Sequence, residues 1–345
     1  MAPLHTGPMR DSQLDGRLST RARALLTVLA DGCFHSGVEL ADSQAISRTS
    51  VWKQLRGLRR LGIDLQAVPG RGYRVSGGID LLVAETVRRS LGDLADKLGE
   101  LRVLDTVDST SSEVRRRARA GVPSPIVCLA EFQSAGRGRR GRSWMSAFGA
   151  GIWLSVLLEL QLAPGLLGKL SLVAGVALGR SLRELGVSSL GLKWPNDILV
   201  GDQKLGGVLV EYEGESRGRG VLVLGVGINT VLPAGANPGD GYPTTDLARA
   251  MEPVQLPQRS RLAGELTASL LNAIDAYGRG GWRRFADDWA SLDVLSGRDV
   301  AVALPGGDRI FGRALGIDTD GAMRVQTASG ELRCLAGEVS LRTCR

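Results

Sequence analysis

The sequence holds almost no histidine: only His5 and His35 occur among 345 residues, both near the N-terminus. A zinc centre or a histidine-dependent catalytic triad in the long C-terminal part is excluded by that inventory. The four cysteines, Cys33, Cys128, Cys334 and Cys344, show neither metal-type spacing nor the pattern of a disulfide framework. Long hydrophobic runs are missing as well. The longest, near 152–160 and 172–178, fall well short of the ~20 residues a membrane helix needs. The first sixteen residues contain no apolar stretch of the signal-peptide kind. A cytoplasmic protein with no membrane partner is the expectation. Chemistry in the C-terminal part must then run on Lys, Arg, Asp, Asn and backbone amides, with or without a bound hydrated cation.

What is present suits a globular protein of more than one domain: 43% of residues are hydrophobic and 23% charged. The net charge is +7, and its placement is informative. Between Arg17 and Arg74 stand ten basic residues against four acids, an excess of six. That bias points to a polyanionic partner for the N-terminal part.

Apolar residues at helical spacing (Ala22, Leu25, Leu26, Leu29) predict a helix over 19–31 that stops at Gly32. A short helix follows over 38–42. Ser47 reads as the N-cap of a helix through Leu61, with Val51, Leu55, Leu58 and Leu61 as its buried stripe. Residues 63–68 and 73–75 read as a hairpin around a Pro-Gly-Arg-Gly turn at 69–72. Three helices and a basic hairpin make a winged helix-turn-helix. Its second helix enters the major groove, so Ser47, Arg48, Thr49, Ser50, Lys53 and Arg56 are DNA-binding candidates, with Arg71 at the hairpin tip. The bland alternative is a solvated basic surface; hairpin, charge bias and cap together favour DNA. Ala45 is a misfit, because a glycine often stands in that turn.

After the joint Ser76-Gly77-Gly78, short β-type runs dominate from 101 to 230: 101–107, 126–133, 152–160, 190–194, 204–213 and 221–229. Helices are expected over 112–120, 166–185, 259–277 and 282–292. Strands outnumber helices without strict alternation, so the expected class is α+β with a mixed sheet. Beyond Ser296, short strands with glycine turns read as a small β-barrel. The expected domains are 17–77, 78–295 and 296–345.

The stretch over 133–144, Gln-Ser-Ala-Gly-Arg-Gly-Arg-Arg-Gly-Arg-Ser-Trp, carries a G-x-G-x-x-G match. A dinucleotide-binding turn must lead into a helix, and this one leads into another strand, so a nicotinamide-dependent oxidoreductase is the weakest reading. Arginines set between glycines suit a mobile loop that closes over phosphates. Lys193-Trp194-Pro195-Asn196-Asp197 follows, with Pro195 breaking a strand and presenting a polar pair. Asp197 is a candidate ligand for Mg²⁺. Lys204 opens an apolar strand, and its ammonium is expected to be the only charge near an apolar wall.

Taken in order, Asp108-Ser109-Thr110, the glycine–arginine loop, the Lys-Trp-Pro-Asn-Asp segment, Lys204-Leu205-x-Gly207 and Gly225-x-Gly227-Ile228-Asn229 closely resemble the bacterial bifunctional biotin–protein ligase and biotin operon repressor family. The match spans about 19–342. The resemblance implies a central domain like that of biotin ligases and class II aminoacyl-tRNA synthetases, and an SH3-like C-terminal barrel. It implies two steps: biotin and ATP give biotinyl-5′-adenylate and pyrophosphate, and a lysine of a biotin carboxyl carrier domain then takes the biotinyl group. Carried over by motif, Ser109, Thr110, Ser111 and Gln133 would hold the biotin rings. Gly136, Arg137, Gly138 and Arg139 would close over carboxylate and phosphate, and Lys204 would bind both, so that Lys204, Arg137 and Arg139 are the expected catalytic residues. Asn196, Asp197, Asn229 and Tyr242 would line the nucleotide side. The family also implies Mg²⁺, a homodimer and operator DNA as partner. Ser111 stands where relatives often carry Asn, and Tyr242 where a Trp commonly packs on adenine. Two rivals share this outline: a sensor that binds biotin without catalysis, and a lipoate or octanoate transfer enzyme.

Overall fold

Ser19 caps the first helix, its hydroxyl accepting from the Ala22 amide, and α1 (Thr20–Leu29) buries Ala22, Leu25, Leu26 and Leu29. The computed structural model describes residues 16–161, 164–214, 220–233, 235, 243–251, 255–304, 308–335 and 340–343. Helix α2 (Gly37–Ser43) opens with a capping box between Ser36 and Glu39, which satisfies two amides that a helix start leaves unpaired. Helix α3 (Arg48–Arg60) is capped by Ser47 and buries Val51, Leu55 and Leu58. Ala45 takes φ +48 in the turn between them, doing without glycine what the left-handed turn usually asks of glycine. Strands β1 (Leu65–Val68) and β2 (Gly72–Val75) pair antiparallel as the wing. Gly72 is obligatory: its φ is +100, and a Cβ there would lie 2.0 Å from the His35 carbonyl oxygen.

The wing module does not stand apart. Phe148, from the segment after the glycine–arginine loop, is buried in the core formed by α1, α2, α3 and the wing, with Ile79, Leu81 and Phe132 against it. Arg23 of α1 donates to Asp105 at 2.5 Å.

Next come α4 (Ala84–Ser90), a 3₁₀ turn over Gly92–Lys97, β3 (Glu100–Val107), α5 (Thr110–Arg119), β4 (Ile126–Gln133) and β5 (Gly151–Leu160). The helix expected over 166–185 is broken into α6 (Pro164–Leu167) and α7 (Leu170–Glu184). Strands β6 (Leu190–Lys193), β7 (Asp197–Val200), β8 (Gln203–Gly214) and β9 (Gly220–Asn229) complete a seven-stranded sheet, order β3-β4-β5-β9-β8-β7-β6. Only β3 and β4 run parallel; the other neighbours are antiparallel. A doubly wound sheet is thereby ruled out.

Helices α8 (Leu247–Ala250), α9 (Arg259–Gly280) and α10 (Arg283–Leu292) follow. Residues of α4, α7, α9 and α10 share one large apolar core with the sheet. On the other face Val114 of α5 packs with Leu104, Ile126, Cys128, Leu157 and Val223.

The tail folds as β10 (Asp299–Ala303), β11 (Arg309–Ile317), β12 (Met323–Thr327), β13 (Gly330–Cys334) and β14 (Ser340–Thr343). These form an antiparallel sheet in the order β13-β12-β11-β10-β14. Its inner residues, including Val300, Val302, Met323 and Val325, join the main core. The Trp194 indole donates to the Gly321 carbonyl at 3.0 Å, tying the tail to the Lys-Trp-Pro-Asn-Asp segment. No helix among the described residues is long and apolar enough to cross a membrane.

Candidate active site and nucleic-acid interface

The glycine–arginine segment leaves β4 and doubles back on itself. Arg137 bridges Ser143, Gly138 N donates to Arg142 O at 2.7 Å and Trp144 N to Gly136 O at 2.8 Å. Arg140 (φ +58) and Gly141 (φ +71) turn the tip. Gly136 is needed for closeness, since a Cβ there would meet the Trp144 oxygen at 2.5 Å. The segment thus forms a narrow hairpin over the sheet.

Under it lies a cavity lined by Ser109, Thr110, Ser111, Gln133, Arg137, Gly138 and Arg139, and by Asn196, Asp197 and Lys204. Residues of the same motifs to which the sequence assigned no role line it too, notably Arg140, Arg142, Ser143 and Lys193. Among the described residues six lining side chains are basic and one, Asp197, is acidic. The expectation that Lys204 would be the only charge near an apolar wall is corrected: its ammonium lies 3.0 Å from Asp197 and 5.3 Å from the centre of the Trp144 ring. The backbone of Lys204 is clamped, its N donating to Pro243 O and its O accepting from Thr245 N.

At one end the wall is uncharged and polar. Gln133 Oε1 accepts from the Thr110 amide at 2.9 Å and from the Thr110 hydroxyl at 3.1 Å, and Gln133 Nε2 donates to Ser146. At the other end Arg139 donates to Asn196 Oδ1 at 3.1 Å, and Asn196 Nδ2 donates to Val208 O. Burial pushes the pKa of Arg139 below the ordinary arginine value, with Asp197 opposing that shift. Arg137 is more exposed and sits 3.6 Å from Glu211.

Gly136 and Asn229 do not line this cavity. Gly136 serves the hairpin, and Asn229 borders a smaller adjoining hollow with Ser143, Trp144, Lys204 and Thr244, its amide donating to Thr245 O. The buried Trp144 Nε1 has no hydrogen-bond partner among the described residues. Asp108 is held outside by Arg116, whose two hydrogen bonds keep its carboxyl below the usual range. Tyr242 lies outside the described residues. No group of three or more His, Cys, Asp or Glu residues that could cage a metal occurs among the described residues.

On the N-terminal module, Arg48, Thr49, Lys53 and Arg56 are exposed along α3, opposite the buried stripe. Ser47 spends its hydroxyl capping Ser50, which is half-buried. Arg71 stacks on Phe34 at 4.2 Å, with Arg74 on the same ring at 4.6 Å. Trp52 was not among the expected residues, yet it is 52% exposed beside Arg56. Its position off the Val51–Leu55–Leu58 stripe was the available signal.

Comparison with known proteins agrees with this layout. Residues 103–229 match the biotin/lipoate A/B protein ligase family, 21–74 an HTH domain, and 295–342 the biotin protein ligase C-terminal domain. The bifunctional ligase/repressor BirA of Salmonella typhimurium is 36% identical over 321 residues, covering 92% of this chain and 97% of that protein. The biotin–[acetyl-CoA-carboxylase] ligase of Mycobacterium tuberculosis is 35% identical over 70% of this chain and 88% of its own length. The Aquifex aeolicus biotin protein ligase, solved with biotin and ATP, superposes with a TM-score of 0.59 at 27% identity, over 71% of this chain and 99% of that one. The chain therefore belongs to the biotin/lipoate A/B protein ligase family, in the bifunctional ligase/repressor branch that carries an N-terminal helix-turn-helix.

Proposed function

We propose that the protein is an ATP-dependent biotin–protein ligase and a biotin-responsive repressor. One observation carries the enzymatic reading: a single cavity joins a neutral polar end, Gln133 with Thr110, to a rim of six basic side chains. The neutral end suits the cyclic urea of biotin. An octanoyl chain or a dithiolane ring has no polar group to meet the second Gln133 N–H or the remaining lone pair of Thr110 Oγ1, and each net hydrogen bond forgone there is worth ~0.5–1.5 kcal/mol. That favours biotin over the lipoate alternative.

At the charged rim, the biotin carboxylate would attack the α-phosphorus of ATP, an O–P bond would form, and pyrophosphate would leave with the bridging oxygen. Two anions meet in that step. Lys204, Arg137 and Arg139 would offset the repulsion with fixed charges in a partly dried site. In the second step a lysine amine of the carrier domain would attack the acyl carbon, the C–O bond to AMP would break, and an amide would form as the ammonium proton is lost. Asn196 and Asp197 would face the nucleotide, with Asn229 beyond them.

Mg²⁺ fits as a companion of the triphosphate. Among the described residues Asp197 is the one lining carboxylate, and Mg²⁺ commonly takes one or two protein carboxylates and keeps its remaining positions for phosphates and water. It would neutralise phosphate charge there.

The wing module would bind an operator through Arg48, Thr49, Ser50, Lys53, Arg56 and Arg71, with Ser47 shaping the helix start. Two copies in a homodimer would occupy a two-fold site. Biotin-dependent exchange of labelled pyrophosphate into ATP, and labelled biotin transferred to a carrier domain, test the enzyme; absence of both from pure protein overturns it. Gel-shift affinity for biotin-operon DNA that ignores biotin plus ATP overturns the repressor.

A further inference from the structure

Ser155, in the middle of β5, is fully buried and stands outside the motifs named above. Its hydroxyl lies 2.7 Å from Thr110 Oγ1 and 3.0 Å from Ser111 Oγ. Each hydroxyl has one proton, so the direction of every bond in this cluster follows by elimination. The Thr110 amide can only donate, which makes the Gln133 atom facing it an oxygen. That oxygen cannot donate, so the Thr110 hydroxyl proton is spent on it. Ser155 must therefore donate to Thr110. With its own proton used, Ser155 must accept from Ser111. The chain runs one way, from Ser111 through Ser155 and Thr110 to Gln133, and the Gln133 amide nitrogen continues it to Ser146.

We propose that Ser155 is a positioning residue for the biotin-binding end of the site. By donating to Thr110 Oγ1, whose own proton goes to Gln133, Ser155 anchors that hydroxyl and occupies one of its two lone pairs, leaving the other as an acceptor toward the cavity. That polarity selects a ligand with an N–H at this point, as a ureido nitrogen has, over one presenting an oxygen. Ser111 is the hydrogen-bond donor that begins the relay. Gly225 leaves room beside it, since a Cβ there would lie 3.1 Å from Ser111 Oγ and press on that hydroxyl. The inference rests on the biotin reading of the cavity.

The test is biotin-dependent pyrophosphate exchange by full-length wild type, Ser155→Ala, Thr110→Val and the double variant. Ser155→Ala removes the donor with little change of volume and raises KM for biotin about tenfold, the scale of one lost buried partner. Its kcat and KM for ATP stay within about twofold of wild type on that same argument. Because Ser155 acts through Thr110, adding Ser155→Ala to Thr110→Val costs nothing more; a purely structural role would add its full loss again. Ser155→Cys, a weak donor, falls between wild type and Ala, and serves if Ala does not fold. An unchanged KM for biotin, or additive losses, overturns the relay. Wild type that neither exchanges pyrophosphate nor takes up biotin in calorimetry overturns the biotin reading itself, and the relay's ligand role with it.

Discussion

Lys204 Nζ and Asp197 Oδ1 lie 3.0 Å apart across β8 and β7, facing each other on the cavity wall. A bulge between Ile198 and Leu199 shifts the register there, and the 243–245 segment pins the Lys204 backbone. The ammonium is thus held at a known point before any anion arrives. A phosphoryl group would compete with Asp197 for it.

Lys204→Ala should lower adenylate formation by ~10²–10³-fold, the size of effect seen when one fixed donor to developing charge is removed. Lys204→Arg should recover only part of this, because a planar fork does not replace a point charge. Single-turnover adenylate formation measures both; a wild-type rate for the alanine variant would remove Lys204 from the chemistry.

Trp194→Phe keeps the buried ring but deletes the donor to Gly321 O. The stranded carbonyl should cost ~1–3 kcal/mol of stability. Differential scanning calorimetry reads the loss. Because the next residues are Pro195, Asn196 and Asp197, KM for ATP should rise more than KM for biotin.

Glu131 is completely buried and accepts from Leu82 N at 2.6 Å and from the Arg259 guanidinium, with Arg23 3.7 Å away. Glu131→Ala strands Arg259, itself 3% exposed, and should destabilise by ~3–5 kcal/mol as one-sided breaks of buried pairs do. Urea unfolding measures this. Replacing Arg259 by Met at the same time should recover part of the loss.

His35 couples the N-terminal module to pH. Burial works against its charge, yet hydrogen bonds with Asp31 and Glu39 outweigh it and raise its pKa above 6.5. A raised folded pKa means stability fully present below the unfolded value and lost as pH climbs through the folded one. The amides of His35 and Tyr73, which pair with each other's carbonyls, should therefore lose protection from hydrogen exchange from about pH 6.5 upward. His35→Gln should flatten that profile; an unchanged slope in the variant would assign it elsewhere.

Much of this was legible in the sequence. Residues 126–133 form β4 as expected, and Ser47, Val51, Leu55 and Leu58 mark the cap and buried face of α3. Helical and strand periodicities are local, and caps announce themselves through residue type. The four-residue β7 escaped notice because Asp197–Val200 is too short to show alternation. Helix α4 escaped too, since only Val87 of its seven residues is buried. Asp108 belonged to a site motif but spends its carboxylate on Arg116.

By itself the sequence determined the α+β class, the winged module with its positive bias, and the basic loop, because each is written in spacing, caps and the placement of charge along a few neighbouring residues. Only the tertiary structure decided which cations meet and which hydroxyl points where. The sheet order brings Gln133, Ser155 and Gly225 from three different strands beneath one helix start, and a hydrogen bond's direction depends on every donor around it at once. No window of residues contains that information; it arises when distant segments compete for the same buried protons.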